Sequence, residues 1–86
     1  ICNNRAYRIL KVNMDIYLRS MLQDGERESA YTGMDFANAL DLAAMAQAMG
    51  VNGSKIEDPT EIAGAVEKAY ASGKPALLDI SIDGSL

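Results

Sequence analysis

Two adjacent asparagines, Asn3-Asn4, are the residues of this chain whose type and placement best suit chemistry. They follow Ile1-Cys2, which reads as the last residues of a strand, and precede a run with helical periodicity. An asparagine side-chain carbonyl is a hard oxygen ligand of the kind that suits Mg²⁺. A helix N-terminus favours phosphate, because unpaired backbone N–H groups and the helix dipole point there. In open α/β sheets, ligands bind at the carboxyl ends of strands. Position, charge sense and donor type therefore fit a metal-diphosphate site. The same dipeptide also serves as an ordinary turn followed by a helix cap, and on these two residues alone both readings stand.

Few other side chains compete for a chemical role. The chain contains no His, which removes the commonest general base and transition-metal ligand. Its single cysteine, Cys2, cannot form a disulfide within the chain and is expected to be a small buried hydrophobe. Nothing suggests an oxidising compartment, so a cytoplasmic location is expected. Asp79 is expected to be solvated or to cap a neighbouring element. Met14, Met21, Met45 and Met49 lie at helical spacing and are expected to fill the core. Glu26-Arg27-Glu28 reads as a solvated loop. No side chain is assigned as catalytic.

The elements that must position Asn3-Asn4 follow from periodicity. Tyr7, Leu10, Met14, Tyr17, Leu18, Met21 and Leu22 recur at steps of three and four, the apolar face of an amphipathic helix. Arg8, Lys11, Asp15 and Arg19 fall on its other face, and Gly25 ends it. Residues 23–33 are polar and mixed in charge, a surface loop. A second helix is predicted over 39–49, capped by Asn38 or Asp41 and stopped by Gly50. Lys55-Ile56-Glu57 is a short strand candidate. Asp58-Pro59-Thr60-Glu61 combines an N-cap Asp, Pro at the first helical position and Glu at the third. Ile62, Val66, Ala69 and Tyr70 continue that helix to Gly73. Residues 76–82 read as a strand with Leu78, Ile80 and Ile82 on one face and Leu77, Asp79 and Ser81 on the other.

Strands alternating with helices predict an α/β fold with parallel pairing and right-handed crossovers. Three short strands make only a partial parallel sheet with flanking helices, so further strands are expected N-terminal to Ile1. The absence of an initiator Met and of a leader pattern agrees with a chain that begins in mid-protein. With 86 residues, 49% of them hydrophobic and 23% charged, the chain holds at most one small globular unit. A net charge of -4 with scattered basic residues argues against nucleic acid and anionic membranes as partners. No apolar run approaches the roughly 20 residues of a membrane span.

Four segments, in order, carry a resemblance. Ile1-Cys2-Asn3-Asn4-Arg5-Ala6-Tyr7-Arg8-Ile9-Leu10 resembles the end of the thiamine diphosphate (TPP) motif, which opens with Gly-Asp-Gly and closes with Asn-Asn. Leu42 to Val51 resembles the family's "LAxAxG" helix, Asp58-Pro59-Thr60-Glu61 its "DPxE" helix start, and Gly73 to Ile80 its "GKPALIDV" final strand. The chain thus resembles the C-terminal part, residues 1–86, of a doubly wound TPP-binding domain whose Gly-Asp-Gly half it lacks.

That resemblance implies a TPP- and Mg²⁺-dependent 2-oxo acid decarboxylase or carboligase, similar to acetolactate synthase and benzoylformate decarboxylase. It implies metal ligation by the Asn4 side chain and the Ala6 carbonyl, with the backbone near Tyr7 and Ile9 beside the diphosphate. Leu10 matches a position near the thiazolium and substrate, where yeast-type pyruvate decarboxylases carry Glu and the benzoylformate decarboxylase and acetolactate synthase types carry an apolar residue, so the resemblance is to the second group. Arg8 departs from the Gly that many relatives carry. The implied partners are the remainder of the same enzyme, a second subunit in a homo-oligomer and a small 2-oxo acid. The 86 residues alone are expected to be inactive. The alternative reading is a non-catalytic α/β interaction or assembly module that retains the fold.

Overall fold

The computed structural model describes residues 1–22, 31–38 and 40–86. In chain order its elements are β1 (Cys2–Asn3), α1 (Arg8–Tyr17) running into a wide π-type turn (Leu18–Leu22), α2 (Leu42–Ala48), β2 (Asn52–Ile56), a 3₁₀ turn (Pro59–Glu61), α3 (Ile62–Ala71) and β3 (Ala76–Ser81). The chain divides into two compact units: Ile1–Asn3 with Leu40–Ile82, and Asn4–Ala39 with Asp83–Leu86.

The first unit is an α/β layer structure with a three-stranded parallel sheet in the order β1-β3-β2, as the alternation of elements predicts. β2 pairs with β3 along its whole length, from Asn52↔Ala76 to Ile56↔Ile80. β1 joins the far end of β3, with Cys2 opposite Ile80 and Asn3 opposite Ser81. The Ile80 and Ile82 N–H groups donate to the carbonyls of Ile1 and Asn3 at 2.9 and 3.0 Å. β1 and β3 therefore reach their carboxyl ends side by side, with Asn3 the last residue of β1. The connection from β1 to β2 and that from β2 to β3 run in opposite senses across the sheet. Right-handed crossovers then place α2 and α3 on opposite faces.

Local chemistry sets the ends of these helices. Asp41 caps α2, its carboxylate accepting from the Ala44 N–H at 2.8 Å. Gly50, at φ 79°, ends α2 in a Schellman motif. The Val51 N–H donates to the Ala46 carbonyl at 2.9 Å and the Gly50 N–H to Gln47 at 3.0 Å. Asp58 caps the third helical stretch through the Thr60 N–H at 2.9 Å and the Thr60 hydroxyl at 2.7 Å. Those two bonds hold its carboxyl below the ordinary carboxylate range. α2 lies so close to β2 that Gly53 meets the Ala43 carbonyl directly, and Gln47 Nε2 donates to the Gly53 carbonyl at 2.8 Å. Ala43, Ala46 and Ile56 form the buried apolar centre of this unit.

The second unit is built on α1. Residues Met34 to Phe36 form a strap antiparallel to Arg5–Tyr7, with Ala6 opposite Asp35. Tyr31 to Gly33 turn the chain into the strap, with the Met34 N–H donating to the Tyr31 carbonyl at 3.0 Å. The predicted loop over 23–33 lies mostly outside the described residues, as do Gly25, Glu26-Arg27-Glu28 and the predicted helix start at Ala39.

Several expectations need correction. α1 does not bury the predicted apolar face: Tyr7, Leu10, Tyr17 and Met21 are about half exposed or more, while Lys11 is buried together with Leu18. The ion pair of Lys11 with Asp35 sets the inward face instead. The methionines do not fill a core, since Met21, Met45 and Met49 are exposed and Met14 is half-buried. Cys2 is exposed rather than buried, because two-residue β1 lies at the sheet edge. Asp79, expected to be solvated or capping, is 1% exposed in the central strand, and its Oδ1 has no hydrogen-bond partner among the described residues. β2 begins at Asn52, earlier than the predicted Lys55, and α2 is shorter than the predicted helix.

The approach of α2 to β2 makes a direct prediction. Gly53→Ala drives a Cβ into the Ala43 backbone and is expected to destabilise by about 1–3 kcal/mol. Gly64→Ala, in α3 with open space around it, is expected to be neutral or stabilising by up to about 1 kcal/mol. Thermal denaturation of the two variants checks this ordering.

Candidate functional site

The residue after β1 begins a tight turn. Asn4 Oδ1 accepts from the Ala6 N–H at 3.1 Å, an Asx-turn in which the side chain replaces a backbone carbonyl. Arg5, between them, has φ 52°, a left-handed conformation uncommon for a side chain of its kind. Such a conformation persists where the surroundings over-determine it. Here the strap does so: the Phe36 N–H donates to the Arg5 carbonyl at 2.9 Å and the Tyr7 N–H donates to the Met34 carbonyl at 2.8 Å. The Tyr7 and Phe36 rings meet edge to face at 4.8 Å.

This pairing decides which way residue 6 faces. In an antiparallel pair, a residue whose two neighbours bond the partner strand points its own N–H and C=O to the other side. Ala6 is such a residue. Its N–H is the one held by Asn4 Oδ1, and among the described residues no donor takes its carbonyl. The edge of residue 6 opposite the strap therefore gathers two amide-type oxygens, Asn4 Oδ1 and the Ala6 carbonyl. Each carbonyl oxygen has two lone pairs, so Asn4 Oδ1 keeps one beyond its bond to Ala6.

The last residues of the chain back the turn. Arg8 Nε donates to the Ser85 carbonyl at 2.8 Å. Asp83 accepts from the Ser85 N–H at 2.9 Å and from the Ser85 hydroxyl at 2.8 Å. The backbone bond, then the hydroxyl, with a smaller contribution from Arg8, hold the Asp83 carboxyl below its ordinary value of 3.8. A depressed carboxylate pKa contributes above the ordinary value and is lost as pH falls through the lowered one. The contribution of these bonds to the tail turn is therefore present at neutral pH and is lost only in acid. Gly84 lies directly against the Asn4 carbonyl. A cavity of about 320 Å³ opens here, lined by Asn4, Arg5, Asp35, Phe36, Ala37 and Gly84.

α1 starts at the far end of the turn. Tyr7 is its N-cap, with no side-chain capping bond and no acidic residue in the first turn. The Tyr7 carbonyl takes the N–H groups of Leu10 and Lys11, while among the described residues no backbone acceptor takes those of Arg8 and Ile9. Two free donors and the positive end of a ten-residue helix suit an anion.

The structure thus brings Asn4 and Ala6 together and sets Tyr7 at the helix cap. Ile9 and Leu10 lie in the first turn of α1, 68% and 46% exposed, and none of Tyr7, Ile9 and Leu10 lines the cavity. Sequence reasoning missed the strap, the tail and Lys11. The signals were Gly33 before Met34-Asp35-Phe36 and the Asp83-Gly84-Ser85 turn signature. Among the described residues no group of three Cys, Asp or Glu side chains could hold a metal ion by itself. A larger open groove beside β2, about 890 Å³, belongs to the other unit and contains none of the predicted residues. No helix among the described residues is long and apolar enough to cross a membrane.

Comparison with known proteins decides the family. The model of the thiamine pyrophosphate enzyme C-terminal TPP-binding domain matches residues 1–80. The chain belongs to this TPP enzyme family. One relative, from Mycobacterium tuberculosis (strain ATCC 25618 / H37Rv), is named as a candidate acetolactate synthase large subunit, IlvB2. It is 47% identical over 45 residues, covering 52% of this chain and 8% of that protein. The matched stretch is thus a small part of the relative. No solved structure matches the chain significantly. Within a TPP-binding domain, the Asn4–Ile9 segment offers the donor set that a metal-bound diphosphate needs: hard neutral oxygens for the cation and free N–H groups for the anion.

Gly84→Ala tests whether the tail fixes the turn. The new Cβ collides with the Asn4 carbonyl, so the variant is expected to lose about 1–3 kcal/mol and to raise hydrogen exchange at the Ala6 amide. Unchanged exchange at Ala6 contradicts a tail that supports the turn.

Proposed function

We propose that this chain is the C-terminal part of the cofactor-binding domain of a TPP- and Mg²⁺-dependent 2-oxo acid decarboxylase or carboligase of the acetolactate synthase type. The observation that carries the proposal is the shared edge of residue 6, where Asn4 Oδ1 and the Ala6 carbonyl lie on one side of a turn that leads into an uncapped helix.

In this reading the Asn4 side-chain oxygen and the Ala6 backbone oxygen would hold Mg²⁺. The Arg8 and Ile9 N–H groups, at the positive end of α1, would hold the diphosphate. Leu10, the next residue of the same first turn, would offer the cofactor an apolar side chain. Bound TPP supplies the electron sink for breaking and making bonds beside a carbonyl carbon. The residues seen here bind and orient; they provide no general acid or base, and catalytic side chains belong to other segments. Mg²⁺ demands near-octahedral oxygen coordination. Two protein oxygens leave positions for cofactor phosphates, water and a further ligand from a preceding segment that would carry Gly-Asp-Gly.

The exposed side chains support a chain that works within a larger assembly. Ile9, Leu10, Ile16, Tyr17 and Met21 share one uncharged stripe of α1 and its following turn, each 46% exposed or more. Large apolar side chains exposed together on one helix face are the mark of an interaction surface. The remainder of the enzyme and a second subunit are the proposed cover, and a small 2-oxo acid is the proposed substrate.

Calorimetry on the full-length protein tests the site. Asn4→Ala is expected to weaken Mg²⁺-dependent TPP binding by at least about 100-fold, more than the loss of an outer-sphere partner costs. Unchanged binding with the fold intact refutes the assignment. The isolated 86-residue chain is expected to give no binding heat with Mg²⁺ and TPP, and micromolar binding by it contradicts the need for further segments.

A further inference from the structure

Lys11 is an unusual residue to find on the inner face of a helix. Its side chain is 10% exposed, and its Nζ meets Asp35 Oδ1 at 2.5 Å, while the Asp35 side chain remains 66% exposed. The Tyr31 ring lies 6.0 Å from the same ammonium, and the Tyr31 hydroxyl donates to Asp15 Oδ1 at 3.2 Å. α1 therefore reaches the Tyr31–Phe36 segment at two points one helical turn apart. Asp35 is also the residue opposite Ala6 in the strap. The ion pair thus joins the first turns of α1 to the middle of the strap that turns residue 6 outward.

The physics of the pair is asymmetric. A surface carboxylate loses little when its partner leaves, but a buried ammonium without an anion is costly. If the strap lifts from Arg5–Tyr7, Asp35 goes with it and the Lys11 ammonium loses its carboxylate partner. The strap also supplies the two backbone bonds that hold Arg5 in its left-handed conformation. Losing them frees the Asn4–Ala6 turn to relax and the Ala6 carbonyl to rotate.

We propose that Lys11 is a positioning residue for the metal-diphosphate site: its ion pair with Asp35 latches the Met34–Phe36 strap, which presents Asn4 Oδ1 and the Ala6 carbonyl on one edge. The inference rests on the site assignment given under the proposed function. Lys11 touches neither metal nor cofactor in this account. It acts by fixing the backbone that does, as outer-sphere partners do at metal sites.

The test uses the full-length enzyme with Mg²⁺ titrated at saturating TPP, and compares Lys11→Met, Lys11→Arg, Asp35→Asn and Asn4→Ala. Lys11→Met and Asp35→Asn are each expected to weaken Mg²⁺ by about 10–100-fold. kcat at saturating Mg²⁺ stays within a few-fold, and amide exchange rises at Tyr7 and Phe36 but not across α1. Lys11→Arg keeps the cation and is expected to restore most of the affinity. The exposed Asp35→Asn provides the reading if Lys11→Met does not fold. Unchanged Mg²⁺ affinity in Asp35→Asn while Asn4→Ala loses it overturns the latch and leaves the site standing. Unchanged affinity in Asn4→Ala overturns the site itself. A rise in exchange throughout the protein, with kcat and affinity falling together, makes Lys11 a general stability residue and also overturns the proposal.

Discussion

The hydrogen bond from the Ala6 N–H to Asn4 Oδ1 is the interaction on which the site depends. It closes the turn between β1 and α1, in which Arg5 takes a left-handed backbone. A lone Asx-turn would be weak support for such a conformation. The strap removes the alternatives by using the Arg5 carbonyl and the Tyr7 N–H, so that residue 6 has one remaining direction in which to face. Gly84 closes the turn from the tail side, where any side chain would strike the Asn4 carbonyl. Three segments distant in sequence therefore converge on two oxygens.

The fold gives the turn its setting. The turn leads into a helix N-terminus, so oxygen acceptors and unpaired backbone N–H groups follow one another within a few residues of the chain. Membership of the TPP enzyme family supplies a ligand that carries a diphosphate. α1 spends its apolar side chains on an exposed stripe and buries a lysine, the reverse of an isolated amphipathic helix. On the inward face that inversion follows from the Lys11–Asp35 pair.

Much of this was legible in the sequence where the signal is local. The caps at Asp41 and Asp58, the left-handed Gly50 and the final strand from Ala76 follow from residue chemistry within a few positions. The parallel order follows from the alternation of elements, and the family from four ordered segments. What failed was the assignment of faces. Periodicity shows which side chains share a stripe but not whether that stripe meets the core or a partner, so α1 and the methionines were placed inward. The strap was invisible because it is two backbone bonds and one bridge between residues about 30 positions apart. Its only sequence traces are a glycine turn and a lysine among apolar neighbours. Asp79 was misplaced for a related reason: alternation put it on a face, and only the structure shows that the face is covered.

The most direct measurement is the position of the metal. In crystals of the full-length protein grown with TPP and Mn²⁺, which shares the preference of Mg²⁺ for oxygen ligands, the anomalous signal of the metal can be located. A peak is expected within bonding distance, about 2.1 Å, of both Asn4 Oδ1 and the Ala6 carbonyl oxygen, with the Arg5 turn retained. A metal bound elsewhere, with Asn4 Oδ1 still engaged only by the Ala6 N–H, contradicts it.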